Sequence, residues 1–275
     1  MTDSPPFTTD DLVLGSSPRQ TGPGRFVWHV PDGWQQGRGA FGGLVLAAVT
    51  RALAACEPEE DRVMRSFNGE IAGPVLPGDA EIEVTELRRG SGLSAFDAIV
   101  RQKGQGVVRG SAIFAKKRAT AEAPAQFLEP PVMAPWSEVP AVPLDNAPFV
   151  PAFSKYLEFR LTGGIPYSGA RDPIASGWIR MRRSPPTLGA PEIVALADAW
   201  WPSALTTQTT PRAMGTVAFG LQYLPPSAPL DPSVPLCYRG KIVADQDGYM
   251  VEMRELWTPD GRLLALNQQT LAWIR

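Results

Sequence analysis

The chain is poor in the residues that build metal sites and disulfide frameworks. It holds one histidine, His29, and two cysteines, Cys56 and Cys237, among 275 residues. Zinc sites and cysteine frameworks need several such residues at short spacing, so the sequence predicts neither, and both cysteines are interpreted as small buried hydrophobes. A Gly-x-Ser-x-Gly motif is also missing, and a serine triad would have to recruit His29, which is interpreted as a strand residue rather than a catalyst.

Long apolar runs and clusters of one charge are missing as well. The longest aliphatic run, residues 44–49, is far below the roughly 18 residues of a membrane span, and residues 1–11 lack a signal-peptide core. Lys and Arg total 26 against 28 Asp and Glu, without a basic run. The sequence therefore predicts a soluble, cytoplasmic protein whose main partner is neither a membrane nor a nucleic acid. A small molecule or another protein is the expected partner.

Proline is concentrated in the middle of the chain. Residues 119–151 contain eight prolines, which disfavour both helix interiors and central strands: Pro124, Pro130, Pro131, Pro135, Pro140, Pro143, Pro148 and Pro151. We therefore predict an N-terminal unit over residues 1–118, a proline-rich linker over 119–151, and a C-terminal unit over 152–275.

The two halves repeat one order of elements, a strand, an apolar helix and four further strands. In the first half the predicted strand, helix and strands cover residues 25–30, 44–56, 64–71, 80–87, 94–102 and 107–116. In the second half they cover residues 176–181, 191–201, 215–224, 236–244, 249–258 and 263–273. An enclosed helix followed by consecutive antiparallel strands predicts an α+β double hotdog fold. Each of the two fused units would wrap an antiparallel sheet around a central helix, with the active site between the units.

One glycine pattern suggests a nucleotide cofactor, but its surroundings do not fit. Gly37, Gly39 and Gly42 have the spacing of the dinucleotide fingerprint G-x-G-x-x-G. Residues 31–36 before them are no buried parallel strand, and antiparallel runs rather than further βα units follow the helix. The sequence predicts no cofactor and no metal, and the glycines are interpreted as points of close backbone approach at a helix start.

Short motifs at matching places in both halves carry a family resemblance. Gly-Ala-Phe-Gly-Gly-Leu-Val-Leu-Ala over residues 39–47 is followed by Arg-Ser-Phe at 65–67 and Pro-Gly-Asp at 77–79. The chain in this respect resembles the TesB-like, or type II, acyl-CoA thioesterases, which have a double hotdog fold and use an Asp, a Thr or Ser, and a Gln to position a water. The resemblance implies that Asp198, Thr216 and Gln269 are the catalytic residues of an acyl-CoA thioester hydrolase.

The chemistry of these residue types agrees with the resemblance. Asp198 lies on an otherwise apolar helix, where a carboxylate needs polar partners. It can accept a proton from water while Thr216 and Gln269 orient that water. The backbone amides of Gly42 and Gly43 are the candidate oxyanion donors. Two alternatives stay open at this point. Asp198 is a structural carboxylate in one of them, and in the other a one-residue register shift puts the neighbouring glutamine in place of Gln269.

Three departures from the family pattern keep other functions in view. The family often has a Gln where this chain has Leu44, a His where it has Arg65, and an aromatic-His-Arg-Pro strand end where it has Gln-Tyr-Leu-Pro-Pro from Gln222. A non-catalytic acyl-CoA or acyl-carrier binding module, and a hotdog hydratase or dehydratase using His29, are the alternatives. Free sheet edges predict a homodimer or larger homo-oligomer. The acyl chain of the substrate is not readable from the sequence.

Overall fold

The structure is a computed structural model that describes residues 11–119, 125–144 and 150–274. Its described residues form three α-helices, α1 (Leu12–Gly15), α2 (Gly42–Ala55) and α3 (Ala190–Ala199). The strands of the first half are β1 (Arg19–Gly22), β2 (Arg25–Val30), β3 (Gln35–Gln36), β4 (Gly39–Ala40), β5 (Arg62–Ile71), β6 (Gly78–Arg89), β7 (Leu93–Gln102) and β8 (Gln105–Lys116). Those of the second half are β9 (Leu157–Gly163), β10 (Ile174–Met181), β11 (Met214–Tyr223), β12 (Leu236–Gln246), β13 (Tyr249–Trp257) and β14 (Leu263–Trp273).

Twelve of the described strands form one antiparallel sheet whose two halves are equivalent. Its order is β1-β2-β6-β7-β8-β5-β11-β14-β13-β12-β10-β9. Outward from the junction, the first half runs β5, β8, β7, β6, β2, β1, and the second half runs β11, β14, β13, β12, β10, β9. Strands β5 and β11 pair at the junction, with Asn68 opposite Gly220. Corresponding strands thus occupy corresponding places, and the predicted α+β double hotdog is confirmed.

The helices α2 and α3 are enclosed by this sheet and pack against each other. They run antiparallel. Near the end of α3, Asp198 accepts a hydrogen bond from the backbone of Gly43 at the start of α2. Near the end of α2, Arg51 pairs with Glu192 in the first turn of α3. Because both helices are rich in alanine, their axes can come close enough for these end-to-end contacts. The start of each helix therefore meets the end of the other.

Two hairpins show why the register of the sheet is well defined. Lys103 and Gly104 have φ angles of 53° and 77° and connect β7 to β8. Asp247 and Gly248 have φ angles of 56° and 84° and connect β12 to β13. Two consecutive positive φ angles are typical of the tight turns whose twist matches that of the strands. The turns at residues 103–104 and 247–248 therefore fix how the strands on either side of them pair.

The helices differ from the predicted bounds at their ends. Helix α2 begins two residues before the predicted residue 44, and α3 ends at Ala199, before the predicted residue 201. Trp200 takes extended backbone, with φ −73° and ψ 147°, and Pro202 comes two residues later, so the chain leaves the helix there. Within the described part of the chain, no helix is both long and apolar enough to cross a bilayer.

The described part of the proline-rich segment lies against the second half. The indole N–H of Trp178 donates to the carbonyl of Ala134 at 2.9 Å. Arg160 donates to the carbonyls of Trp136 and Val139 at 2.8 and 2.9 Å. These contacts satisfy backbone carbonyls that an extended, proline-bearing segment leaves without strand partners. Pro124, Pro148 and the amino-terminal residues 1–10 lie outside the described residues.

Candidate active site

A buried carboxylate lies where the end of α3 meets the start of α2. Asp198 is on the last turn of α3, and 4% of its side chain is exposed. Its carboxylate faces the start of α2, where the N–H of Gly43 donates to it. A methyl group on Gly42 would lie only 2.7 Å from Oδ2 of Asp198. Because the first N–H groups of a helix lack intrahelical acceptors and carry partial positive charge, this position favours a carboxylate.

The three side chains predicted for the site form one hydrogen-bonded chain. The hydroxyl of Thr216, on β11, donates to Oε1 of Gln269, on β14, at 2.9 Å. Nε2 of Gln269 donates to Oδ1 of Asp198 at 3.0 Å. Gln269 is fully buried and Thr216 is half-buried, so the chain runs from the edge of the core to the carboxylate. The structure therefore brings Asp198, Thr216 and Gln269 together.

The orientation of the Gln269 amide follows from its partners. An ionised carboxylate only accepts hydrogen bonds, so the group that faces Asp198 must be the NH₂. The second N–H of Gln269 donates to Oδ1 of Asn267 at 3.0 Å, and the amide of Asn267 donates in turn to the carbonyl of Gly220 at 2.8 Å. Both donors of Gln269 are thus occupied, which fixes the amide plane beside Asp198.

The ionisation of Asp198 is set by competing effects. Burial raises the pKa of Asp198 above its ordinary value, because a charged carboxylate loses its water on leaving solvent. The positive charge of Arg254 and the hydrogen bonds from Gln269 and Gly43 lower the pKa in part, and the negative charge of Glu252 raises it. The net direction is upward, which makes the carboxylate a stronger proton acceptor than an exposed aspartate.

Two charged residues that the sequence analysis did not single out complete the buried site. Arg254 donates through Nη1 to the backbone carbonyls of Ala197 and Asp198 at 3.1 and 3.2 Å, and through Nη2 to Glu252 at 2.9 Å. Glu252 also accepts from the backbone N–H of Ser203 at 2.9 Å. A signal for them exists in the sequence of β13. The residues of its buried side alternate as Met250, Glu252, Arg254, Leu256.

The two candidate oxyanion donors differ in what they contact. Both Gly42 and Gly43 lie in the first turn of α2, because the helix begins two residues before the predicted residue 44. The N–H of Gly43 is directed at Asp198, so in this structure it holds the carboxylate. Gly42 is half-buried, whereas Gly43 is buried. Gly42 is therefore the more exposed of the two residues.

The register that the sequence left open is resolved by the sheet. Gln269 faces the core, whereas its neighbour Gln268 is exposed. Leu44, at a position that is often polar in the family, is fully buried in the core. Gln222 is exposed on β11, and Arg65 is half-buried at the bulge of β5.

His29 does not belong to this group of residues. It lies on β2, which strands β6, β7 and β8 separate from β5 in the sheet order. Its side chain is 76% exposed and contacts Asp79 at 2.8 Å. An acid–base pair built from this histidine, as the hydratase alternative requires, would therefore lie away from Asp198.

The other end of the helix pair carries different chemistry. A surface cavity of about 320 Å³ lies there, lined by Arg51, Ala54, Pro191 and residues of the amino-terminal segment. Arg51 is engaged by Glu192 and donates to the hydroxyl of Ser16 at 3.0 Å. This end therefore presents an ion pair in place of the acid and amide found at Asp198.

The sequence matches a protein family over most of its length. Residues 30–115 match the acyl-CoA thioesterase N-terminal domain, and residues 129–273 match the acyl-CoA thioesterase C-terminal domain. A search of curated proteins found no match.

Solved structures agree in fold at low sequence identity. A conserved hot dog protein of unknown function from Alicyclobacillus acidocaldarius is 22% identical, with a TM-score of 0.84 over 96% of this chain and 98% of its own. A tesB protein from Mycobacterium avium subs paratuberculosis is 14% identical, with a TM-score of 0.78 over 98% and 100% of the two chains. An acyl-CoA thioesterase II, TesB2, from Mycobacterium marinum is 13% identical, with a TM-score of 0.76 over 96% and 98%. With both thioesterase domains matched in order, the chain belongs to the TesB-like acyl-CoA thioesterase family and is an acyl-CoA thioester hydrolase.

Proposed function

We propose that Asp198 is the general base of the hydrolysis, that Thr216 and Gln269 orient it and the substrate water, and that water itself attacks the thioester. The observation that carries this proposal is the single amide of Gln269, which joins the hydroxyl of Thr216 to the carboxylate of Asp198. A buried acid with a raised pKa suits proton abstraction near neutral pH. Thr216 is half-buried, so this end of the hydrogen-bonded series Thr216–Gln269–Asp198 is within reach of a ligand.

The proposed reaction needs no covalent intermediate with the protein. Asp198 accepts a proton from water while the water oxygen forms a bond to the thioester carbonyl carbon. The resulting tetrahedral intermediate carries its negative charge on the former carbonyl oxygen. Its collapse breaks the carbon–sulfur bond, and the leaving sulfur takes the proton from Asp198. The products are the free acid and coenzyme A, with the carboxylate restored.

Backbone amides at the start of α2 are the proposed donors to the intermediate. The first N–H groups of this helix lack intrahelical acceptors, and the helix dipole adds positive potential there. Because Gly43 holds Asp198, we assign the oxyanion mainly to the N–H of Gly42, with Gly43 contributing when the carboxylate becomes protonated.

Mass spectrometry under single-turnover conditions tests direct attack by water. The protein is mixed with an equimolar acyl-CoA and quenched at intervals, and its intact mass is compared with the amount of thiol released. We expect thiol release in the wild type without any acylated protein at any time, and slow release in Asp198→Ala. Accumulation of an acyl-protein before acid release would contradict attack by water.

The proline-rich segment divides the chain into two parts of similar size. We propose that residues 1–118 and 152–275 act as the two hotdog units and that 119–151 connects them. In support, the strands of each half are neighbours in the sheet. We further propose that the enzyme works in the cytoplasm and serves lipid metabolism, in keeping with a substrate that couples an acyl chain to coenzyme A.

We propose that the chain forms a homodimer or a larger homo-oligomer. Apolar side chains are exposed on neighbouring strands of the second half, with Val243 at 56%, Tyr249 at 56% and Met253 at 37% exposure. Strand β1 is an outer strand of the sheet and leaves one edge open to pairing. Light scattering tests the proposal, since a mass equal to one 29.7 kDa chain across micromolar concentrations would contradict it.

A further inference from the structure

A buried ion pair lies behind the proposed base. The side chains of Arg254 and Glu252 are 2% and 0% exposed and meet at 2.9 Å. Arg254 also reaches Asp198, with Nη1 3.9 Å from Oδ1 and 3.2 Å from its backbone carbonyl. Moving two charges out of water is costly, and a well-packed apolar pair at the same place is often as stable or more stable. Stability of the fold alone therefore gives little reason for this pair.

The duplicated architecture allows each residue of the second half to be matched to one of the first. Strands β5 and β11 each contain one bulge, at Arg65 and Val217. Two residues beyond the bulge, Phe67 lies opposite Ala112, and Phe219 lies opposite Gln269. The sheet register therefore matches Ala112 on β8 to Gln269 on β14. The match extends to the next strands.

The positions that match the ion pair are apolar in the first half. Ala112 lies opposite Phe96 on β7, just as Gln269 lies opposite Glu252 on β13. Two residues further along, Gly110 lies opposite Ala98, just as Asn267 lies opposite Arg254. Phe96 and Ala98 are each 1% exposed. The same hotdog plan thus folds with a phenylalanine and an alanine where the second half buries a glutamate and an arginine.

Arg254 lies against both the backbone carbonyl and the carboxylate of Asp198. Its guanidinium donates to the carbonyls of Ala197 and Asp198 at the end of α3, where a cation complements the helix dipole. Glu252 holds the other side of the guanidinium and is itself fixed by the N–H of Ser203. The planar guanidinium is thus held by several acceptors at once, which limits its movement.

We propose that Arg254, held in place by Glu252, is a positioning residue that keeps Asp198 charged and aimed at the start of α2. This inference rests on the proposed role of Asp198 as the base. Arg254 touches no reacting atom in the proposed reaction. It acts through Asp198 alone.

The groups that face Asp198 from each neighbouring element define the expected electrostatics. From α2 comes the N–H of Gly43, from β14 the amide of Gln269, and from β13 the charges of Arg254 and Glu252. Tyr238 on β12 is fully buried, and its pKa lies well above the ordinary value, so it stays neutral. Removing Arg254 leaves Glu252 as the remaining full charge beside Asp198 among these groups. The carboxylate of Asp198 should then take up a proton at higher pH.

The pH profile of kcat/KM in Arg254→Met tests this role. We expect activity at pH 7 to fall by at least about tenfold and to recover as the pH rises, with the acid limb displaced upward by about one pH unit or more. KM should change by less than about threefold. Arg254→Lys keeps the charge and should retain the wild-type acid limb. Arg239→Met, which removes the partly exposed partner of Glu255 on the adjoining strand, is the matched control and should leave the profile unchanged.

A second readout does not depend on turnover. In protein labelled with ¹³C at aspartate carboxyl groups, the resonance of Asp198 is identified by its loss in Asp198→Asn, and its titration is followed by NMR. The pKa of Asp198 should be higher in Arg254→Met than in the wild type. If the wild type hydrolyses no acyl-CoA, the proposed function fails, while this titration still decides the role of Arg254.

A second variant covers the case in which Arg254→Met does not fold, and two outcomes would overturn the proposal. If Arg254→Met does not fold, the double variant Arg254→Met/Glu252→Gln removes both charges and carries the same two measurements. A smaller upward displacement is expected there, because Glu252 itself raises the pKa of Asp198 by less than Arg254 lowers it. An equal loss of activity at every pH with an unmoved Asp198 titration would make Arg254 merely structural and overturn the proposal. Full activity with the wild-type profile would overturn it as well.

Discussion

The amide nitrogen of Gln269 lies 3.0 Å from Oδ1 of Asp198, although the two residues are 71 positions apart in the chain. One is on the last turn of α3 and the other is in the middle of β14, so the contact exists because the sheet wraps around the helix. The second donor of the same amide is held by Asn267. We therefore expect this contact to control both the position of Asp198 and the activity of the enzyme.

Replacing Gln269 should be far more harmful than replacing its neighbour. Gln269→Met leaves Asp198, Thr216 and Asn267 without their partner, and we expect kcat to fall by at least about tenfold and stability by about 1–3 kcal/mol. Gln268→Met is the matched control, because Gln268 is exposed and its replacement should change stability by less than about 0.5 kcal/mol. Chemical denaturation and steady-state kinetics check both values. A larger effect of Gln268→Met than of Gln269→Met would contradict the register of β14, in which Gln269 faces the core.

Removing the hydroxyl of Thr216 should have a smaller effect. Thr216→Val preserves the shape of the side chain and deletes the hydrogen bond to Oε1 of Gln269. A bond of this kind contributes about 1 kcal/mol, so we expect kcat to fall by up to about tenfold. Thr270→Val, on the opposite side of β14, should leave kcat unchanged. Equal effects of the two replacements on kcat would refute the orienting role of Thr216.

Because the pKa of Asp198 is raised, its carboxylate should lower the stability of the fold at pH values above that pKa. A carboxyl whose pKa is higher in the folded than in the unfolded chain stabilises the fold below its unfolded pKa and loses that stabilisation as pH rises through the folded value. Asp198→Asn removes the buried charge, so its Tm should exceed that of the wild type at pH 7. The gap should close as the pH falls toward the ordinary aspartate range. Calorimetry at several pH values measures this difference in Tm. A difference that grows as the pH falls would contradict a raised pKa of Asp198.

A methyl group at the start of α2 should disturb the site directly. In Gly42→Ala, the new methyl would lie 2.7 Å from Oδ2 of Asp198 and 3.3 Å from Cδ1 of Ile71. We expect the carboxylate to move and kcat to fall by at least about tenfold with a smaller change in KM. Gly22→Ala is the control, since a methyl there meets no atom within 4 Å. Unchanged kcat in Gly42→Ala would argue against an active site at this helix start.

Much of the fold was predictable because the chain repeats itself. The alternation of β6 and β7 and the all-apolar character of α2 indicate a sheet around an enclosed helix, and the second half repeats the order. The outer strands β1 and β9 were not predicted. Strand β1 is mostly exposed along Arg19–Gly22, and only the start of β9 alternates clearly, so neither carries a full period-two signal. Strand β1 pairs with β2 and strand β9 pairs with β10, so both outer strands form on the edge of a strand already in the sheet.

The candidate site was predictable only in part. Asp198 stands out as an acid among apolar residues, so its need for partners could be inferred from the helix alone. Arg254 and Glu252 were missed, although they alternate in phase with Met250 and Leu256. That two charges share a buried strand face is plain only once the strand is placed under α3. The hydrogen bond from Gly43 to Asp198 depends on how closely the two helices pack, which no local pattern encodes.

The rate of thiol release by Asp198→Asn tests the central claim most directly. Wild type and variant are compared on the acyl-CoA that the wild type hydrolyses fastest, after circular dichroism has shown that both are folded. We expect kcat to fall by about 100-fold or more, because the amide cannot accept the proton of water. A variant with the wild-type kcat would show that the base lies elsewhere.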